Sequence, residues 1–445
     1  METWCNAKTV VQTASLLFGL GSWITITGFW AELPLLTHFL PEKWALSSQL
    51  TLAIQLANIG PLIYCLCKGR FSWCNDVTAT HAQMVIGVAS CLLLVLAWDS
   101  TVLLFGSNRS IYLMIAAFGL SLLDCTSSVT FLPFMARFKD RHLTPYLIGE
   151  GLSGFIPIVV AMIQGQVDES SECQQNSENA SDSQGSLSTS SSILFGPSMF
   201  FLSLLVTLLI SWAAFFWLLY AATAERERAA PQRGTKEDLL DNLNITSGKE
   251  QANRDIELKM IEKAFIQDEG NIISSGEYVT LQVIIVYTCL STFGIFPSLQ
   301  PYSSLPYEKS WAFQLVVLGT GLAYPVGCSL AMITDVKSMR AILFYTYLGS
   351  MISVYLLTCA IMSPFPPLLS SPTIGGALVV VSWISYILIL SYVKTVVTLR
   401  MSRARGENAL YLVGIYTQIG SLVGAALMFL AVNYFHWFRE SIPSC

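Results

Sequence analysis

The stretch FFLSLLVTLLISWAAFFWLLY, residues 200–220, decides the fold because it is long and apolar enough to cross a membrane as one helix. A hydrocarbon core of about 30 Å needs roughly 20 such residues. The apolar residues do not alternate with polar ones as in a membrane barrel, so a helix is left as the structure that satisfies the backbone in lipid. The sequence contains eleven such runs, near residues 9–31, 47–67, 82–100, 110–135, 143–164, 195–221, 277–297, 310–333, 341–363, 374–396 and 407–432.

The composition excludes a soluble protein. Of the 445 residues, 53% are hydrophobic and 12% charged, whereas soluble domains carry about 25% charged residues. The chain has no phosphate-binding glycine loop with lysine, no HExxH, no GxSxG and no CxxC pair, so we expect neither an enzyme nor an ATP-driven pump, and no cofactor. The net charge of −5 says little about partners, and we expect membrane lipid but no nucleic acid. The sequence predicts an all-α polytopic membrane protein of eleven transmembrane helices.

The basic residues fall mainly on one side of the predicted helices. Nineteen of the 24 Lys and Arg residues lie in loops on that side, four lie on the other, and Lys394 lies inside a span. Because basic loops stay in the cytoplasm, we predict a cytoplasmic N-terminus and an extracellular C-terminus. The charged segment 222–276 is expected to be a largely disordered cytoplasmic loop. It divides the chain into a six-helix bundle, residues 1–221, and a five-helix bundle, residues 277–445.

Two covalent features are expected on the extracellular side. Asn108, Asn179 and Asn244 each begin an Asn-x-Ser/Thr sequon, and the first two fall outside, where glycosylation occurs. Cys173 and Cys445 also face outside, and one disulfide between them is an open alternative to two free thiols.

The fourth span carries polar residues in the middle of an apolar run. The stretch SLLDCTSSVTFLPFM, residues 121–135, places Asp124, Ser128 and Phe131 on one helical face. A charge inside a bilayer costs at least about 3 kcal/mol, so it usually faces the bundle interior and is a functional candidate. Glu150 qualifies too, since it lies roughly 10 Å into the fifth span at 1.5 Å per residue. The alternative is that these groups only form bonds between helices.

Other candidates lie on the first, second and tenth spans. They are Trp23 and Trp30 on one face with Glu32 nearby, Gln55 and Asn58, three residues apart, and Lys394. The amides of Gln55 and Asn58 offer both donors and acceptors, which suits a neutral ligand. The alternatives are helix packing for these amides, an interfacial position for Glu32 and snorkelling of Lys394 to the cytoplasmic interface.

The two parts of the chain show a weak internal repeat. TITGFWAELP ends the first span and STFGIFPSLQ ends the seventh, and each has a glycine followed by an aromatic residue and a proline. Carriers built from structural repeats place the substrate near the midplane between the halves. The polar candidates and this repeat together indicate a secondary or facilitative carrier.

Five stretches, taken in order, resemble one family. They are GSWITITGFWAELP, LAIQLANIGPL, LLDCTSSVTFLPFM, GEGLSGFIP and LSYVKT, and they are similar to the eukaryotic riboflavin transporters, solute carrier family 52, some of which also act as gammaretrovirus receptors. The resemblance implies sodium-independent uptake of riboflavin at the plasma membrane by alternating access. It also implies a 6+5 pseudo-symmetric bundle resembling the equilibrative nucleoside transporters, and we expect a monomer.

Riboflavin has the chemistry that these candidates would recognise. It is neutral, with a flat aromatic ring system and a polyhydroxyl tail, so it needs aromatic faces to stack on and hydrogen-bonding groups for its hydroxyls and ring imide. We expect Trp23 and Trp30 to supply the aromatic faces. The candidates for the hydrogen bonds are Gln55, Asn58, Asp124, Ser128 and Glu150.

Four positions depart from the family pattern. Thr27, Phe293 and Tyr324 stand where the family has asparagine, and Phe365 replaces a loop cysteine that would be a partner for Cys445. The lost amides leave a carrier of another neutral heterocycle, such as a nucleoside, as an alternative. A non-transporting cell-surface receptor for a virus is a second one. Proton coupling through the intramembrane carboxylates and facilitated diffusion both stay open.

Overall fold

The computed structural model shows a chain that is almost entirely helical. The expectations for Asn179, Asn244, Cys173 and Cys445, and most of segment 222–276, lie outside the residues that the structure describes. Those residues are 2–440 apart from 166–192, 229–273, 308–310 and the single positions 69, 72, 105, 136, 335 and 337.

The helices follow the predicted apolar runs. A short hairpin, β1 (Val102–Leu104) paired antiparallel with β2 (Ser107–Arg109), carries the exposed Asn108. Short 3₁₀ turns lie at Lys43–Ala45, Asp140–His142 and Phe296–Leu299, and π-helical turns at Leu290–Ile295 and Leu430–Tyr434. In the described part of the chain the α-helices are α1 (Glu2–Gly19), α2 (Ile24–Phe39), α3 (Leu46–Leu56), α4 (Ile59–Cys67), α5 (Asp76–Ala97), α6 (Ile111–Met135), α7 (Leu143–Gln164), α8 (Pro197–Tyr220), α9 (Ala222–Arg226), α10 (Ser275–Cys289), α11 (Gln300–Ser304), α12 (Trp311–Ile333), α13 (Met339–Ile361) and α14 (Pro372–Phe429).

The number of spans agrees with the sequence. Among the described residues, ten helical segments are long and apolar enough to cross a membrane, and the bent pair Lys8–Gly19 and Ile24–Phe39, at 47°, makes eleven when counted as one broken span. The predicted all-α, eleven-span fold is confirmed, whereas the 6+5 symmetry stays a prediction. The first span differs from the predicted run 9–31. It breaks at residues 20–23 and continues through Pro34, which membrane helices tolerate because neighbours bond the freed carbonyl.

The long helix α14 contains two spans, because a residue from its first part and a residue from its last part both lie beside the same section of the seventh span. The Tyr386 hydroxyl is 2.6 Å from the Ser291 hydroxyl, and a methyl group on Gly294 would lie 2.8 Å from the Ser421 carbonyl oxygen. In one straight helix Tyr386 and Ser421 would be roughly 52 Å apart at 1.5 Å per residue. The chain therefore reverses direction between Met401 and Leu412.

The buried apolar side chains form separate clusters along the chain. One large cluster belongs to the first six spans and is joined by Phe313, Val317 and Leu318 of α12. Two further clusters belong to the last five spans. The polar candidates on α7 and α14 thus project from separately packed groups of helices.

Close contact between α1 and α7 fixes the position of the fifth span. A methyl group on Gly149 would lie 2.0 Å from the Leu16 carbonyl oxygen, and one on Gly19 would lie 2.3 Å from the Tyr146 carbonyl oxygen. The two backbones touch here, as small residues allow in membrane helices. Gly154, on the same helix, has open space around it, since nothing lies within 4 Å of an added methyl group.

We predict that Gly149→Ala lowers the midpoint of thermal unfolding of the purified protein, because the methyl group must push α1 and α7 apart. Gly154→Ala is the matched control, and we expect it to leave the midpoint unchanged or raise it slightly, since alanine favours a helix over glycine by roughly 0.5–1 kcal/mol. Equal effects of the two substitutions would contradict this packing.

A cluster of charges joins two loops at the basic end of the bundle. The Glu227 carboxylate is buried; it accepts a hydrogen bond from Arg141 and lies 2.9 Å from the His142 ring and 3.6 Å from the Lys139 ammonium. Burial alone would raise the pKa of Glu227, but the hydrogen bonds to His142 and Arg141 and the nearby positive charges outweigh it and lower the pKa to about 2. The cluster therefore ties the end of the sixth span to the loop before α7.

Because the pKa of Glu227 falls on folding, the ionised carboxylate stabilises the folded protein above its ordinary pKa of 4.5, and this stabilisation is lost as the pH falls towards about 2. We predict that Glu227→Gln lowers the midpoint of thermal unfolding at pH 7. The difference in midpoint between the wild type and the variant should narrow below about pH 4.5. The exposed neighbour Glu225, changed to Gln, is the control. A difference that is absent at pH 7, or constant through acid pH, would disprove the assignment.

Candidate substrate site

The break in the first span is closed by a carboxylate from the fourth span. Where α2 begins, its first backbone N–H groups have no partner within the helix. The Asp124 carboxylate accepts the Ile26 N–H at 2.7 Å and the Thr25 hydroxyl at 2.8 Å, and its side chain is fully buried. Asp124 thus acts as the cap of α2.

Trp23, at the N-terminus of α2, reaches the fifth span with its side chain. The Trp23 indole N–H donates to the Glu150 carboxylate at 3.3 Å, because the contact of Gly149 with α1 places the next residue beside the break. Trp23 is 36% exposed and Glu150 is partly exposed. A carboxylate inside a membrane span usually avoids lipid, which makes this partly exposed pair a candidate for ligand contact. The structure brings these two predicted residues together.

The predicted amides meet at the break between α3 and α4. Asn58 donates its amide to the Gln55 side-chain oxygen at 3.1 Å, and Gln55 donates to the Phe293 carbonyl oxygen at 3.3 Å. Phe293 lies in the π-helical turn of the seventh span. The amides therefore link the second span to the opposite half at the level of Phe293.

Phe293 and Tyr324, two positions where the resemblance predicts asparagine, surround Lys394. The Lys394 ammonium lies 4.5 Å from the centre of the Phe293 ring and 5.9 Å from that of the Tyr324 ring. It donates to the Tyr324 hydroxyl at 3.3 Å. The two rings meet edge to face, with centres 5.6 Å apart. We call Phe293, Tyr324 and Lys394 the lysine cage.

The remaining predicted residues lie elsewhere, and ligand contact by any of them stays a prediction. Glu32 is fully buried and accepts from the Gln164 amide at 3.0 Å. Phe131 is fully buried with its ring centre 4.4 Å from that of Phe18. Trp30 is partly buried against the large N-terminal cluster. Ser128 is exposed and bonds its own helix at the Cys125 carbonyl.

Asp124, Ser128 and Phe131 thus do not form one exposed face in this structure. Sequence reasoning also missed Tyr146, whose hydroxyl is 3.4 Å from that of Ser22 beside the break. The helical periodicity of the sequence could not predict that Tyr146 lies beside the break. The contact depends on how closely Gly19 and Gly149 allow the two helices to approach. Thr27, the third departure, is partly exposed in α2.

The two halves are joined at the end of the bundle with few basic residues. Ser47 donates to the Ser298 carbonyl oxygen at 3.1 Å, and Gln49 donates to Asn433 at 2.9 Å. Gln314 reaches the Gly165 carbonyl oxygen at 3.5 Å. Asn433 also donates to the Ser48 hydroxyl at this end, whereas the bond from Gln55 lies near the middle of the spans.

The fold is shared with known membrane transporters. A bacterial homologue of the human lysosomal transporter Spinster, in an inward-facing and unoccupied conformation, aligns with a TM-score of 0.54 at 14% identity, covering 96% of this chain and 83% of that one. A D-xylose–proton symporter aligns with a TM-score of 0.53 at 14% identity, covering 97% and 92%. The protein is therefore a multi-spanning membrane protein with a transporter fold.

The sequence comparisons place the chain within one transporter family. The model of solute carrier family 52, riboflavin transporter, matches residues 7–440. Riboflavin transporter member 3-A of Danio rerio is 35% identical over 453 residues, covering 97% of each chain. Member 3 of Homo sapiens is 31% identical, covering 96% of each. The chain belongs to solute carrier family 52, the riboflavin transporters, as the five motifs predicted.

We predict that Asp124→Leu lowers the unfolding midpoint strongly, because it leaves the Ile26 N–H without its acceptor inside the bundle, and an unsatisfied buried donor costs about 1–3 kcal/mol. Asp124→Asn keeps an acceptor and should be milder. The exposed Asp99 at the end of the third span, changed to Leu, is the control. If Asp124→Leu leaves thermal stability intact and removes ligand binding alone, Asp124 is a ligand contact rather than a helix cap.

Proposed function

We propose that this protein carries riboflavin across a membrane. The observation that carries the proposal is the match of solute carrier family 52 to nearly the whole chain, residues 7–440. Relatives named riboflavin transporters cover 96–97% of this chain. Membership of a solute carrier family points to transport rather than to catalysis.

The chemistry of the site supports the proposal. A flavin offers a flat ring for aromatic packing and a tail of hydroxyls for groups that both donate and accept. The exposed Trp23 indole and the rings of the lysine cage supply aromatic surface at the middle of the spans. The amides of Gln55 and Asn58 and the carboxylate of Glu150 supply the polar groups.

The contacts between the halves support alternating access. They close the end of the bundle with few basic residues, which supports a scheme in which the opposite, basic end opens in this state. The basic loops favour a cytoplasmic position for that end, with the N-terminus cytoplasmic, the C-terminus extracellular and uptake at the plasma membrane. In this scheme residues 1–221 and 277–445 are the two moving units. The exposed Asn108 is the described candidate for glycosylation.

We predict that cells expressing the chain accumulate radiolabelled riboflavin above vector controls, and that unlabelled lumiflavin, which keeps the ring and lacks the tail, competes with it. Nucleosides should not compete at matched concentration. Uptake of a labelled nucleoside without uptake of riboflavin would favour the alternative raised by the aromatic side chains of Phe293 and Tyr324. Surface expression without uptake of either would contradict a carrier.

A further inference from the structure

Lys394 does not snorkel to the membrane surface. It lies seven residues before Met401, the inner end of its span, which places it roughly 10 Å inside at 1.5 Å per residue. A lysine near a span end ordinarily extends its ammonium to the interface. Here the ammonium lies over the Phe293 and Tyr324 rings, 4.5 Å and 5.9 Å from their centres.

The Lys394 ammonium has no carboxylate as an ion-pair partner among the described residues. Glu150 of the opposite half bonds to Trp23 instead. An ammonium has three N–H donors, and the structure gives one of them to the Tyr324 hydroxyl. Cation–π contacts compensate only part of the cost of a charge at this depth. Donors therefore remain for a ligand.

We propose that Lys394 binds the acceptor-rich edge of the flat heterocycle and thereby sets the orientation of the substrate in the site. This inference rests on the proposed function. The edge consists of ring carbonyl oxygens and ring nitrogen, which accept hydrogen bonds. Phe293 and Tyr324 are positioning residues, because they hold the ammonium and present apolar surface beside it.

The cage suits the ring better than the tail. It offers a donor-only cation flanked by apolar rings, which matches the part of a flat ring where a carbonyl oxygen and a neighbouring ring nitrogen both accept. Hydroxyls both donate and accept, so the tail is better matched by the amides of Gln55 and Asn58. Those amides lie next to the cage, because Gln55 donates to the Phe293 carbonyl oxygen at 3.3 Å.

The test combines truncation of the ligand with substitution of the lysine. Equilibrium binding of riboflavin and of lumiflavin to the purified full chain is measured by fluorescence quenching. We expect Lys394→Met to weaken both ligands by the same factor, about tenfold or more, since a hydrogen bond to a charged group is lost. The exposed Lys8, changed to Met, is the control and should leave both affinities unchanged.

Phe293→Leu keeps apolar bulk, and it serves as a second variant where Lys394→Met fails to give a monodisperse protein. We expect it to weaken both ligands in parallel by a smaller factor. Unchanged affinities in a folded Lys394→Met variant would overturn the inference. Weaker binding of riboflavin with unchanged binding of lumiflavin would also overturn it, since the lysine would then contact the tail. A wild-type chain that binds neither flavin would instead refute the proposed function.

Discussion

An unpaired backbone N–H in hydrocarbon costs several kcal/mol, and the first span of this protein is broken at residues 20–23. The fold can keep this break because the buried Asp124 carboxylate, from the fourth span, accepts the Ile26 N–H and the Thr25 hydroxyl. The cap stabilises the bend, and beside the bend the Trp23 indole N–H bonds to Glu150.

Glycine contacts then set the distances between spans and so the positions of polar groups. Gly149 brings the fifth span against α1 and places Glu150 beside the break. In the other half, a methyl group on Gly294 would lie 2.7 Å from the Gly424 Cα, so the π-helical turn is packed against the last span. Phe293, one residue earlier, has its ring over Lys394 and its carbonyl bonded to Gln55. Small residues in both halves thus support the site.

The sequence was sufficient for the spans, since apolar length and the cost of intramembrane charge are local properties. It also identified Trp23, Glu150 and Lys394 as exceptional, and the structure gives each a specific partner. It did not predict that Asp124 would cap another helix, or that the rings of Phe293 and Tyr324 would surround Lys394. Those contacts depend on distances between spans far apart in the chain, which helical periodicity does not encode. The break within the first span was not predicted either, although Gly19, Gly21 and Ser22 are weak helix formers, because the apolar run as a whole is long enough for one continuous span.

A structure of the riboflavin-bound protein would show whether substrate binds between the halves at the lysine cage while Asp124 remains a structural cap. We expect the flavin ring edge within hydrogen-bonding distance of the Lys394 ammonium, about 3 Å, with the Asp124 carboxylate still on the Ile26 N–H. A flavin bound directly to Asp124, or bound away from Phe293, Tyr324 and Lys394, would contradict it.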